Sequence, residues 1–126
     1  MIVFSSIFFY FYMMANSVDA RLDVIAQVEK QLIEIVQDDN REAKAIDVIE
    51  QMKLTVKKQH DDYSAIQSEF LRVSADYSAD IQQYNALDKR IDAFWRSTME
   101  QQIDLRFALK EQLTREEWKK LYKEID

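Results

Sequence analysis

The sequence predicts an all-α protein without β-strands: an extended long-helix hairpin or coiled-coil-like bundle closed by a short C-terminal helix. Three observations carry this. The 126 residues contain no glycine, no proline and no cysteine, where about nine glycines and six prolines are expected at average usage. Apolar residues recur at helical steps from Leu22 onward. A seven-residue repeat then persists from Ile49 to Phe94.

The missing residue types exclude function classes as well as folds. Tight β-hairpins need glycine or asparagine at positive φ. Dinucleotide-binding, phosphate-binding and nucleophile-elbow loops all need glycine. Disulfides, zinc ribbons and thiol chemistry need cysteine. A single histidine, His60, excludes multi-histidine metal sites. The formal charge is −6, whereas nucleic-acid binding calls for a basic patch that displaces counterions. The basic cluster of Lys53, Lys57 and Lys58 reads as a solvated helix face.

The first element, MIVFSSIFFYFYMMA, is apolar or aromatic except for Ser5 and Ser6, and no charge precedes Asp19. It is shorter than the roughly 20 residues of a spanning helix and matches the about 7–15 residues of a secretory signal core. Val18-Asp19-Ala20 supplies a small-residue cleavage pattern ahead of Arg21, with Ala15-Asn16-Ser17 as a second option. Residues 1–20 are therefore expected to be a signal peptide, or a membrane anchor if uncleaved and extended through Val18. Residues 21–126 form the helical coiled-coil-like domain.

The body opens on an amphipathic stripe of Leu22, Ile25, Val28, Leu32, Ile35 and Val36. A turn is expected at Gln37–Asn40, with Asp39 as N-cap and Glu42 completing a capping box. Next comes the heptad series. Ile49, Val56, Tyr63, Phe70, Tyr77, Tyr84 and Ile91 occupy one position of the repeat. Met52, Gln59, Ile66, Val73, Asp80, Leu87 and Phe94 lie three residues further on. Breaks are expected first at residues 74–78 and second near His60-Asp61-Asp62. A continuous helix from Arg41 to Gln112 would be roughly 108 Å long and cannot bury its seam alone. It must fold back, pack on the first helix, or self-associate through the Ile49–Phe94 seam.

After Phe94 the apolar steps become Trp95, Met99, Ile103 and Phe107. Thr114 and Glu117 then form a capping box that starts a last helix at Arg115. Trp118, Leu121, Tyr122 and Ile125 give this short helix one apolar face, expected to dock on the preceding helix or on a partner.

No catalytic, cofactor or metal residue is assigned. His60 reads as a surface histidine. Asp76 with Asp80, and Asp88 with Asp92, are acidic pairs at four-residue spacing, capable at most of opportunistic metal binding. The candidate interaction residues are aromatic: Tyr63, Phe70, Tyr77, Tyr84, Trp95, Phe107, Trp118 and Tyr122. Those nearest the C-terminus (Trp95, Phe107, Trp118, Tyr122) are expected to join the last helix to the long one or to form a recognition patch.

An apolar leader, a body of long helices and Leu113-Thr114-x-x-Glu117 at a helix start resemble the LTxxQ periplasmic stress and chaperone family. Glutamate stands in place of the motif's glutamine, and the motif occurs once rather than twice. The resemblance implies a chaperone-like or stress-related envelope role, and a curved dimer with a concave client-binding face. The expected function is thus non-enzymatic binding of a protein partner or unfolded client by an exported homo-oligomer. It would reside in the periplasm or be anchored to the inner membrane through residues 1–18, without cofactor or nucleic acid. A membrane-anchored assembly coiled coil is the alternative, and a divalent-metal binder a more distant one.

Overall fold

The computed structural model describes residues 18–125, with the backbone alone at positions 124 and 125. The apolar segment 1–15 and the Ala15-Asn16-Ser17 site lie outside the described residues, as does the Ile125 side chain. Among the described residues the chain is four helices and no strand.

Helix α1 (Val18–Ile35) forms on the expected stripe and buries Ile25, Val28 and Leu32. Three residues connect it to α2 (Asp39–Ala75). The cap of α2 is Asp38, not Asp39. Asp38 is extended, at φ −111° and ψ 117°, and its carboxylate accepts from the Arg41 N–H at 3.0 Å. Both residues of the Asp38-Asp39 tandem suit a cap, and the earlier one takes the position.

Helix α2 then runs 37 residues without interruption, about 55 Å. The break considered at His60–Asp62 does not occur. No residue there disfavours a helix strongly, and Lys58 Nζ bridges Asp62 one turn on at 2.7 Å. The break at residues 74–78 does occur. Asp76 ends α2 in an extended conformation. Its carboxylate accepts from the Ser78 N–H at 3.0 Å and the Ser78 hydroxyl at 2.7 Å, which holds the group below its ordinary pKa. Asp80 caps α3 (Ile81–Gln112) through a full capping box. The Gln83 N–H donates to Asp80, and the Asp80 N–H donates to the Gln83 side chain at 3.0 Å.

Two expectations change at this turn. Asp76 and Asp80 flank the connection instead of sharing a helix face. Tyr77 stands in the turn at 106% exposure rather than in the heptad seam.

Helices α2 and α3 form an antiparallel hairpin. Ile49, Val56, Ile66, Val73 and Leu87 of the seam are buried within one chain, while Tyr63 and Phe70 stay partly exposed. Helix α4 (Arg115–Ile125) starts where its capping box places it. The Thr114 N–H donates to Glu117 at 2.8 Å, and the Glu117 N–H donates to the Thr114 hydroxyl at 3.1 Å. It packs mainly against α1 rather than against the preceding helix.

The core therefore sits at one end. Ile25, Leu32, Ile49, Val56 and Leu121 are almost wholly buried there, joined by Val28, Ala45, Leu109, Trp118 and Tyr122. Each large aliphatic contributes about 1.5–3 kcal/mol by leaving water. Four helices make this base. Beyond it, among the described residues, the hairpin continues as a two-helix arm.

Candidate interaction surface on the distal hairpin

The position of α1 defines where the base ends. Lys53 on α2 bridges Glu29 on α1 at 2.9 Å, with Glu50 as its second partner, and both raise the lysine's pKa. Helix α1 runs antiparallel to α2, so Val18, eleven residues before Glu29, comes level with about residue 64. Helix α4 has 11 residues and turns back along α3 from Leu113, so it reaches about the level of residue 101. Above these levels the described parts of these helices do not cover the hairpin.

Five helical turns contain eighteen residues, so positions eighteen apart share one side of a helix. On α2 this relates the covered half to the open half. Ala45 is 0% exposed in the base, and its equivalent Tyr63 is 38% exposed. Met52 packs against the core, and its equivalent Phe70 is 45% exposed. Lys53, held by α1, corresponds to Leu71, exposed at 67%. The side of α2 that carries α1 thus continues up the arm as a partly apolar face that no described helix covers.

Helix α3 contributes the other wall. Tyr63 meets Trp95 and Phe94 at ring-centroid distances of 6.0 and 5.7 Å. Phe70 meets Tyr84 edge-on at 6.3 Å. These pairs clamp the two helices together while leaving part of each ring in water. The opposite side of the arm is different in kind. Lys58–Asp62 and Glu69–Arg72 are exposed ion pairs there, and Arg90 lies near enough to help lower the Glu69 pKa.

The candidate aromatics consequently separate into distinct places. Tyr63, Phe70, Tyr84 and Trp95 share the open face of the arm. Tyr77 is at the tip. Trp118 and Tyr122 are buried in the base with their rings 4.6 Å apart. Trp95 does not join them, because it lies near the middle of the hairpin. Phe107 is half-exposed beneath two cations, Arg106 at 5.3 Å and Lys110 at 5.7 Å. Arg106 also lies 5.2 Å from Trp118, so its guanidinium links α3 to α4. Met99 and Ile103 extend the exposed stripe from Trp95 toward the base.

A buried polar layer crosses the hairpin near the top of the base. Gln59, Thr98 and Gln102 are all buried. Gln59 donates to Gln101 at 3.2 Å, while Gln59 Oε1 and both amide atoms of Gln102 lack a partner. The heptad reading singled out Gln59, but Gln102 escaped it. Its burial depends on α3 lying antiparallel to α2, which local spacing does not reveal.

At the foot of the base, Glu117 joins three helices. Its carboxylate takes both nitrogens of the Arg41 fork, one at 3.1 Å, and Arg41 also donates to the Gln112 carbonyl at 3.0 Å. The arginine and the Thr114 donors hold the Glu117 carboxyl at about 2, against an opposing effect of burial.

The remaining polar groups make no comparable constellation. His60 is exposed. Among the described residues no cluster of three or more His, Cys, Asp or Glu is placed to hold a metal, and no helix is long and apolar enough to cross a membrane. Comparison with protein-family models, curated proteins and solved structures finds no match, so the functional reading rests on these residues.

Proposed function

We propose that this chain is a non-enzymatic, exported protein of the bacterial cell envelope that binds a protein partner or unfolded client through the open face of its hairpin arm. Its role is chaperone-like or stress-related, as the resemblance to the LTxxQ family suggests. The observation that carries the binding reading is the apolar face of Tyr63, Phe70, Leu71 and Trp95, continuous with the side buried under α1. Contiguous apolar surface of this kind characterises recognition sites. Export is supported by residues 1–15 and the Val18-Asp19-Ala20 pattern. Cleavage after Ala20 would remove three of the described residues of α1 and keep Ile25, Val28 and Leu32. The case against catalysis rests on composition, with one histidine, no cysteine and no glycine.

The experiment is suppression of client aggregation. The purified protein should slow light scattering by a reduced, unfolding client, and Tyr63→Asp with Phe70→Asp should abolish the effect while helicity is kept. Equal suppression by the double variant would refute binding at this face.

The second reading, a membrane-anchored assembly coiled coil, is favoured by the uncharged run before Asp19. Cell fractionation with intact mass separates the two. A soluble envelope species beginning at Arg21 supports the first reading, and a full-length chain in the membrane fraction supports the second.

A further inference from the structure

The seven-residue period of the seam passes through the turn without a change of phase. Tyr63 and Phe70 on α2, and Tyr84 and Ile91 on α3, stand at multiples of seven from one another, although residues 76–80 leave the helix between them. A hairpin does not require this. Its turn reorients the chain, so each helix can meet the other from any starting phase. One continuous helix does require it, because only an unbroken phase keeps both halves of the seam on one side. The turn is also made of residues that a helix accepts. Residues 76–80 include neither glycine nor proline, and no described residue has a positive φ. Only local bonds hold the turn: Asp76 with Ser78, the Ala79 N–H donating to the Asp76 carbonyl at 3.1 Å, and the Asp80–Gln83 box. Tyr77, which the period assigns to the seam, is fully exposed there.

We propose that a second copy of this chain takes the seam by domain exchange: residues 76–80 become helical, and α3 with α4 of each copy packs on α1 and α2 of the other. Asp39–Gln112 is then one helix of roughly 110 Å, antiparallel to its counterpart. A base is rebuilt at each end of the rod, with Arg41 of one copy holding Glu117 of the other. The register closes at the middle. Tyr63 lies against Phe94. Seven residues up α2 and seven down α3, Phe70 is level with Leu87. Seven more set Tyr77 of one copy level with Asp80 of the other, so the middle layer continues the order of the seam and covers a ring that the hairpin leaves in water. Asp76 and Asp80 restrain the exchange. Their bonds favour the turn, and the carboxylates of two copies would gather at the middle of the rod. The proposal goes beyond the binding reading above and does not depend on it.

The chain has no cysteine, so Asn40→Cys with Glu111→Cys accepts a donor and acceptor dye at two exposed positions. Within one hairpin these positions are close, as the Arg41–Gln112 contact shows. In the exchanged dimer the two positions of one copy lie roughly 105 Å apart, out of range of energy transfer. The labelled full chain is unfolded, refolded at high concentration with excess unlabelled chain, and separated by size. The monomer should keep transfer and the dimer should have lost it. Tyr77→Pro should stay monomeric with its helicity kept, because proline bars the continuous helix and suits the turn. Asp76 is already extended, at φ −86° and ψ 110°, as a residue before proline prefers, and the Tyr77 N–H makes none of the turn's hydrogen bonds. Asp76→Ala with Asp80→Ala should raise the association constant at least about tenfold.

The proposal is overturned if the dimer keeps full transfer, since two intact hairpins then lie side by side. It is overturned as well if Tyr77→Pro dimerises like the unchanged chain, or if neither the unchanged chain nor the Asp76→Ala with Asp80→Ala variant forms a dimer.

Discussion

Arg41 and Glu117 lie 76 positions apart and meet in a two-point ion pair at the foot of the bundle. The pair ties the first turn of α2 to the first turn of α4. The same guanidinium caps the end of α3 at the Gln112 carbonyl, one of the orphan acceptors that a helix terminus exposes. Glu117 also completes the α4 capping box. One carboxylate therefore closes a local motif and a long-range contact together.

Acid should loosen the base through this group. The Glu117 carboxyl titrates at about 2 in the folded chain against an ordinary 4.5. A depressed carboxylate pKa gives stability that is fully present above pH 4.5 and lost as the pH falls toward 2. The half-open Arg41 is screened by solvent, so the contribution is about 1–2 kcal/mol. Urea midpoints measured at several pH values should fall across this window. Glu117→Gln should be less stable at pH 7 and show a shallower fall. An equally steep fall in the variant would remove Glu117 as the cause.

The turn at residues 76–80 should govern the arm and not the base. Asp80→Ala removes one half of the capping box and should cost about 1 kcal/mol. Hydrogen exchange should quicken in residues 64–75 and 81–92, while amides around Ile25 and Ile49 keep their rates. Uniform acceleration along the chain would mean that arm and base unfold as one unit.

The buried amides should be replaceable at a gain. Gln102 places two unpartnered polar atoms in the hairpin interior, and each such group costs about 1–3 kcal/mol in desolvation. Gln102→Leu should raise the melting temperature, and with Gln59→Leu the gain should grow. A fall in the single variant would mean that those atoms are satisfied in solution.

Core and arm should respond differently to truncation. Ile49 is 0% exposed, and Ile49→Ala should cost about 2–5 kcal/mol. Phe70 is half in water and leans on Tyr84, so Phe70→Ala should cost clearly less in the same urea titration. Equal losses would place Phe70 in a packed interior.

What was legible in the sequence was what local chemistry decides. The Thr114–Glu117 box specifies the start of α4 because both partners lie within one turn. The all-α class follows from missing glycine and proline and from the apolar steps. The seven-residue spacing carried Tyr77 and Asp80 into the seam because the turn happens to preserve the period. The Asp80-x-x-Gln83 cap, a local signal of the same kind as Thr114–Glu117, was masked by that regularity. At Asp38-Asp39 two equivalent caps stood side by side, and spacing could not choose between them. The docking of α4 on α1, the burial of Gln102 and the open side of the arm depend on which helix faces which. That is decided by contacts between residues such as Arg41 and Glu117, far apart in the chain.

The central claim is that the base is a closed bundle and the arm is the working surface. Hydrogen exchange of the full chain, alone and with an unfolding client, tests it most directly. The account predicts slow exchange around Ile25, Ile49 and Leu109 in both states. It predicts faster exchange in residues 64–75 and 81–95 alone, slowed when the client is present. Protection by the client confined to α1 or α4, or no change along the arm, would contradict it.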